Sequence, residues 1–259
     1  MDEVKYSTKN EQDVSIQIIG DRPTVNIGDN TQHPSKPKRA WNIPYRRNPY
    51  FTAREQILRL LHDRLCAAGT AALTQSQAIS GLGGIGKTEI VVEYAYLHRE
   101  DYQGILWVNA ATRDTIIASF LELASLLDLS EQNESDQNKM VAGVKRWFTE
   151  HDHWLLIFDN ADDLTLAEEF LPTSDTGSLL LTTRNQHTGT LTENLDIKVM
   201  DKEEGTLLVL RRAKLLAREK GLEYVPHDEY SLAEQIVSEM GGLPPVSYTH
   251  LRAHETGRN

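Results

Sequence analysis

Three short stretches combine residue types and spacings suited to phosphate chemistry. GLGGIGKT at 81–88 fits the pattern G-x-x-x-x-G-K-[ST] without a mismatch. Glycines there let successive backbone N–H groups curl around an anion that a Cβ would obstruct. The phosphate-cradling set is Gly81, Gly83, Gly84, Ile85, Gly86, Lys87, Thr88 and Glu89. Lys87 is placed to neutralise β- and γ-phosphates, and Thr88 to offer its hydroxyl to Mg²⁺. A helix begun at Lys87 would aim its positive end at the same anion. A chance glycine-rich turn would lack the strand before it and the amphipathic helix after it, and both are expected here.

WLLIFDNADD at 154–163 reads as a second strand of the same sheet. Its apolar run suits a strand buried on both faces, and Asp159 emerges at its carboxyl end, where ligands of parallel sheets bind. An Asp there can hold Mg²⁺, usually through water. The next position, often a second acid in hydrolases, is Asn160, which cannot take a proton from water. Either Asp162 or Asp163 must then act as base, or hydrolysis is slow. GSLLLTTRN at 177–185 supplies a third strand ending in Thr182, Thr183 and Arg184. Arg184 could sense a γ-phosphate from that end, or simply start a surface loop. HDH at 151–153 has two His and no third ligand nearby, so it reads as a solvated approach to a strand.

These stretches need a scaffold, and the periodicity supplies one from Phe51 onward. AREQILRLLHDRL places Ile57, Leu58, Leu61 and Leu65 on one helical face. QAIS precedes the glycine loop and is the weakest strand signal, with only Ala78 and Ile79 apolar. A helix with Ile90, Val91, Tyr94 and Ala95 comes after the loop. ILWV then precedes a helix with Ile116, Ile117, Phe120, Leu121 and Ala124, and IKVM at 197–200 is expected as the last strand. Strands alternating with helices predict an α/β fold, a parallel sheet with helices on both faces. From Glu203 the strands stop. Leu207, Leu208, Arg211, Leu215 and Leu216 suit one helix, and Leu232, Ala233, Ile236, Val237 and Met240 suit another, capped by Gly241 and Gly242.

The ends of the chain are of a different kind. Residues 1–34 are polar, with VSIQI and TVNI alternating around GDRP, a turn signal. A short hairpin is expected there, either a self-association segment or part of an unordered leader, since isolated hairpins are marginal. Residues 35–50 set Lys36, Lys38, Arg39, Arg46 and Arg47 among prolines and read as an extended, solvated linker. The chain of 259 residues has a net charge of -11, which argues against a broad nucleic-acid surface. It shows no secretory signal and no apolar run long enough for a membrane. The single Cys66 excludes an internal disulfide and fits a reducing, cytoplasmic setting.

The motifs, in this order, resemble the NB-ARC branch of the STAND signalling NTPases, from about Asn48 to Pro244. NPYFTARE is similar to the segment before the phosphate loop, whose Arg, here Arg54, lies on the adenine side; Ala53 stands where the family usually has Gly. LLIFDNADD resembles the Walker B strand and LLLTTRN the sensor strand with Arg184. MGGLP at 240–244 resembles the start of the GLPL motif, whose Pro, here Pro244, packs on the nucleotide. The resemblance implies a P-loop nucleotide-binding domain at 51–200 and the start of a helical ARC-type domain at 201–244. It implies that the sensor strand lies between the phosphate-loop and Walker B strands. It further implies ADP or ATP with Mg²⁺ as ligands, exchange of ADP for ATP as the switch, and self-association through the nucleotide-binding domain when active. C-terminal repeats that sense an unknown ligand complete the family pattern.

Two other functions compete with a slow-hydrolysing switch. A conventional P-loop ATPase or GTPase would turn over rapidly; no N-K-x-D or L-S-G-G-Q motif is present, and Asn160 opposes efficient base-assisted attack. A non-hydrolysing interaction scaffold would use residues 1–34 for pairing. A switch driven from 1:99 to 99:1 needs about 5.5 kcal/mol of differential affinity, more than one arginine hydrogen bond supplies. Finally, residues 245–259 lack helical periodicity and caps, and VSYTHLRAHET resembles the translation of a transposase-type sequencing adaptor. That tail is expected to be non-native, against the alternative of a natural disordered end, and His250 and His254 take no functional reading.

Overall fold

The computed structural model describes residues 14–19, 22–27, 39–66, 75–130, 136–174, 176–186 and 193–244. The chain divides into two units, Met1–Lys38 and Arg39–Asn259. In the first, β1 (Val14–Ile19) and β2 (Arg22–Ile27) pair antiparallel with Ile19 opposite Arg22, the hairpin that the alternation predicts.

In the second unit six strands form one parallel sheet. They are β3 (Ala40–Trp41), β4 (Gln75–Ser80), β5 (Gly104–Asn109), β6 (Trp154–Asp159), β7 (Ser178–Thr182) and β8 (Glu193–Asp196), in the order β3-β5-β6-β7-β4-β8. The sensor strand β7 therefore lies between β6 and the phosphate-loop strand β4, as the resemblance implies. The period of two along a strand divides its side chains between two cores. Leu155 and Ile157 of β6 face one core; Trp154, Leu156 and Phe158 face the other. Every residue of β6 is buried. Each large apolar side chain so removed from water contributes roughly 2 kcal/mol, which is why an unbroken apolar run is stable only between two helical layers.

Helices α1 (Glu55–Cys66) and α2 (Lys87–Leu97) cover the first core through Leu58, Leu61, Leu65, Ile90, Val91 and Tyr94. Helices α3 (Arg113–Leu126), α4 (Gln137–Glu150) and α5 (Leu164–Phe170) cover the second. The reading of the sequence did not identify α4 or α5. The signal for α4 was present: Met140, Val144 and Phe148 recur every four residues, all buried, and the Asp136 side chain accepts from Asn138 N–H as its cap. Beyond the sheet, α6 (Lys202–Arg212) and α7 (His227–Glu239) pack together, with Gly205 against Val237. No helix among the described residues is long and apolar enough to cross a membrane.

Three expectations are corrected. The last strand is β8, not IKVM at 197–200. Ile197 N–H still donates to Ser80 O, but Lys198 O accepts from Arg54 Nη2 and Met200 N–H donates to Gly242 O, so these backbone groups have left the sheet. Leu215 and Leu216 lie beyond α6: Lys214 takes a left-handed φ of 60°, and both leucine N–H groups turn back to Leu210 O. The segment read as a linker over 35–50 is, from Arg39 on, part of the sheet unit. Ala40–Trp41 adds an edge strand, and Trp41, Ile43 and Tyr45 pack on the first core. Two of its basic residues find acids on or just after α2: Arg47 makes a bidentate pair with the buried Glu93, and Arg39 pairs with Glu100. Residues 245–259 and His250 and His254 lie outside the described residues, as do most of residues 1–34.

Candidate functional site

The carboxyl ends of β4, β7 and β6 lie side by side, with Ile79 paired to Thr182 and Phe158 to Leu181. Between β4 and α2 the chain makes the loop 81–86, then enters α2 at Lys87. Gly86 turns it with φ 94°, a conformation that L side chains resist. A Cβ on Gly83 or Gly84 would meet nothing within 4 Å, so the outer surface of the loop is open. Lys87 Nζ donates to Gly81 O at 2.8 Å and Leu82 O at 3.0 Å, holding the ammonium over the loop. Burial lowers its pKa; the charges of Asp162 and Asp159 oppose that shift and Arg184 adds to it.

Asp159 is 2% exposed. Its Oδ1 accepts from Thr88 Oγ1 at 3.0 Å and from Thr182 Oγ1 at 2.6 Å. Thr182 also accepts from the backbone N–H of Asn160, whose φ of 63° turns the chain sharply off β6. Thr182 was placed at a strand end by the sequence but given no role. Its signal is a hydroxyl ending the apolar run of β7, where it fixes the carboxylate rotamer.

Arg184 and Asp162 are joined by a salt bridge. Arg184 Nε donates to Asp162 Oδ2 at 2.6 Å and its backbone N–H to Oδ1 at 2.7 Å. Burial raises the Asp162 pKa, but the Arg184 hydrogen bonds and charge outweigh it, and the net shift is downward. Asp163 is also engaged, accepting from Leu166 N–H as the cap of α5. Both acids expected as bases are thus committed to structure.

The remaining residues expected at the site come from outside the sheet. Arg54, 6% exposed, donates from Nη2 to Lys198 O at 3.0 Å and lies 3.6 Å from Glu204, the capping-box residue of α6. Its Nε is buried with no hydrogen-bond partner among the described residues. Ala53 before it has φ 60°. Pro244 reaches the phosphate loop, its Cγ 3.5 Å from where a Gly86 Cβ would be. It is brought there by Gly242, whose φ of 72° and closeness to Met200 O, 2.5 Å from an added Cβ, exclude a side chain. Sequence reasoning assigned no role to Tyr45, whose pKa is raised by burial and further by the charges of Asp159 and Glu89. Asn48 Nδ2 donates to Glu89 at 3.3 Å, tying the same segment to the first turn of α2.

This arrangement fits a nucleotide with Mg²⁺. An open glycine loop, a lysine over it and a helix start offer an anion site. The Thr88 hydroxyl and the Asp159 carboxylate, meeting at 3.0 Å, are hard oxygen donors of the type Mg²⁺ prefers. The orphaned Nε of Arg54 is a buried donor in need of an acceptor.

Comparisons with known proteins give the family and the fold. The model of the NB-ARC domain matches residues 54–214. A nucleotide-binding leucine-rich repeat (NLR)-like protein of Hyaloscypha variabilis is 29% identical over 225 residues, covering 79% of this chain and 22% of that protein. The regulatory protein AfsR of Streptomyces griseus is 29% identical over 205 residues, covering 76% of this chain and 20% of AfsR. The chain thus spans about a fifth of the length of these curated relatives. Among solved structures, the Aeropyrum pernix ORC1 protein in complex with DNA aligns with a TM-score of 0.50 at 15% identity, covering 80% of this chain and 65% of that one. That likeness is one of fold.

Proposed function

We propose, from the premise that this chain belongs to the NB-ARC domain family, that it is the nucleotide-binding part of a signalling switch that exchanges ADP for ATP in a cytoplasmic setting. The observation that carries this reading is the Thr88–Asp159 contact at 3.0 Å beneath the phosphate loop, with Arg184 held by Asp162 at the adjoining strand end.

In this reading Lys87 and the loop N–H groups bind the phosphates, and Thr88 and Asp159 hold Mg²⁺. Bound Mg²⁺ supplies Lewis-acid charge to the phosphate oxygens. Thr182 keeps the Asp159 oxygen aimed at that position. Arg184 lies at the γ-phosphate side and exchanges its bond to Asp162 for one to the nucleotide. Arg54 and Pro244 flank the adenine side, so the helical region α6–α7 feels what is bound. Opening of that region and self-association through the sheet unit follow from exchange.

Slow hydrolysis is part of the proposal. Asn160 cannot accept a proton, and Asp162 is a weak base while Arg184 holds it as a low-pKa carboxylate. Calorimetry on the whole chain tests the binding. ADP is expected to bind in Mg²⁺ buffer and to lose measurable affinity in Lys87→Ala. Unchanged ADP affinity in that variant would refute the assignment. Turnover of many ATP per second would replace the switch by a working ATPase.

A further inference from the structure

Away from the nucleotide crevice, the far ends of α1 and α2 bring four metal-ligating side chains together. His62 and Cys66 are four residues apart on one face of α1. His98 ends α2, and Asp101 lies in the turn after it. The His62 and His98 rings stack with centroids 4.0 Å apart and planes 14° from parallel. His98 Nδ1 lies 2.7 Å from Asp101 Oδ2, and Cys66 Sγ lies 3.6 and 3.7 Å from the two ring nitrogens of His62. Ligand atoms of His62, His98 and Asp101 all fall within 4.8 Å of one another. None of these residues serves the phosphate chemistry. Along the 11 residues of α2 the cluster is about 16 Å from the phosphate loop.

We propose that His62, Cys66, His98 and Asp101 form a binding site for a divalent transition-metal ion of the zinc type. Two imidazoles, a thiol and a carboxylate are the mixed donor set that tetrahedral Zn²⁺ takes, and Mg²⁺ and Ca²⁺ avoid. The ion displaces two protons to solvent, the one in the hydrogen bond between His98 Nδ1 and Asp101 Oδ2 and the one on the Cys66 thiol, which binds as thiolate. Donors on tetrahedral zinc lie roughly 3.3 Å apart. The 4.8 Å span of His62, His98 and Asp101 therefore closes by turning the two rings out of their stack, and Cys66 joins them from one helical turn further along α1. His62 and His98 are half-buried, while Cys66 and Asp101 are exposed, so the site has an entry path and a supporting wall. Tyr94, buried and 3.3 Å from His62 Nδ1, orients that ring from behind and is itself bonded to Tyr102 at 3.0 Å. Since α1 begins next to Arg54 and α2 begins at Lys87, an ion here staples together the two helices whose opposite ends flank the nucleotide.

The test is a Co²⁺ titration of the whole, tag-free chain without nucleotide, with visible absorption as readout and then Zn²⁺ competition. The expected result is one Co²⁺ per chain with tetrahedral ligand-field bands and a thiolate charge-transfer band, both displaced by one equivalent of Zn²⁺. Saturating Zn²⁺ should also raise Tm by roughly 5 °C. Cys66→Ser should remove the charge-transfer band, and His62→Ala and His98→Ala should weaken uptake at least tenfold while ADP binding persists. Asp159→Asn, at the phosphate loop, should leave Co²⁺ uptake unchanged. No saturable cobalt band in the unaltered chain would overturn the proposal. So would a band without thiolate character, uptake that survives both histidine variants, or uptake lost in Asp159→Asn.

Discussion

Arg184 and Asp162 are locked together through both side chain and backbone: Nη2 lies 2.5 Å from Oδ2, Nε donates to the same oxygen, and the Arg184 N–H donates to Oδ1. Arg184, the proposed γ-phosphate sensor, and its neighbouring acid are thus one unit, so whatever recruits Arg184 also releases Asp162. Arg184→Ala is expected to lower ATP affinity roughly tenfold, the loss of one charge-assisted hydrogen bond at an exposed site, and to leave ADP affinity unchanged. Calorimetry with both nucleotides checks it; equal losses for ADP and ATP would place Arg184 elsewhere in the site.

The same pair has a pH signature. The Asp162 pKa is depressed in the folded chain, so its contribution to stability is fully present above the ordinary carboxylate value of 3.8 and is lost as pH falls through the lowered one. The Tm difference between the unaltered chain and Asp162→Asn should stay constant from neutrality down to about pH 5 and vanish only below the ordinary carboxylate range. A difference that disappears near pH 6 would point to a histidine instead.

Asp159 accepts from two hydroxyls, that of the buried Thr182 and that of the half-buried Thr88. Asp159→Ala strands the Thr182 hydroxyl, and such a lost buried partner costs about 1–3 kcal/mol. The variant should melt several degrees lower. Asp159→Asn keeps an acceptor and should melt close to the unaltered chain, yet lose the enhancement of nucleotide binding by Mg²⁺. Thermal melts and binding with and without Mg²⁺ separate the two effects.

Lys87 has the opposite balance. Burial lowers its pKa, so the charge is held at a cost to the fold. Lys87→Met should abolish nucleotide binding with no fall in Tm. A marked destabilisation would mean that its bonds to Gly81 O and Leu82 O support the loop rather than store the ammonium for a ligand.

Ala53 stands where the resemblance to the NB-ARC pattern implies glycine, and its φ of 60° is a conformation that glycine adopts more readily. A left-handed non-glycine residue costs of order 1–3 kcal/mol, part of which glycine returns as unfolded-chain entropy. Ala53→Gly should therefore stabilise the chain by roughly 0.5–1 kcal/mol, raising Tm by about 2 °C. An unchanged or lower Tm would show that the strain is relieved by neighbouring packing.

Local pattern alone determined much of this protein. The glycine loop, the apolar run ending in Asp159 and the run ending in Thr182–Thr183–Arg184 are continuous in the chain, and each contains the reason for its own geometry. Even QAIS, weak by composition, was placed by the glycine loop directly after it, and β4 does span Gln75–Ser80. The adjacency of β7 to β6 and β4 came from resemblance rather than pattern, because strand order depends on pairings between distant residues. Tertiary structure decided the rest, and the reason is the same throughout. IKVM is apolar and strand-like, yet Arg54 and Gly242 take its backbone groups. The basic, proline-rich segment near residue 47 reads as solvated until Glu93 on α2 meets Arg47. Asp162 reads as a free base until Arg184, 22 residues on, closes over it. His62 and His98 are far apart in the numbering, and only the packing of α1 beside α2 stacks their rings. A residue's type and its near neighbours set what chemistry it can do; the partner that uses or quenches that chemistry is distant in sequence, and the fold alone brings it within reach.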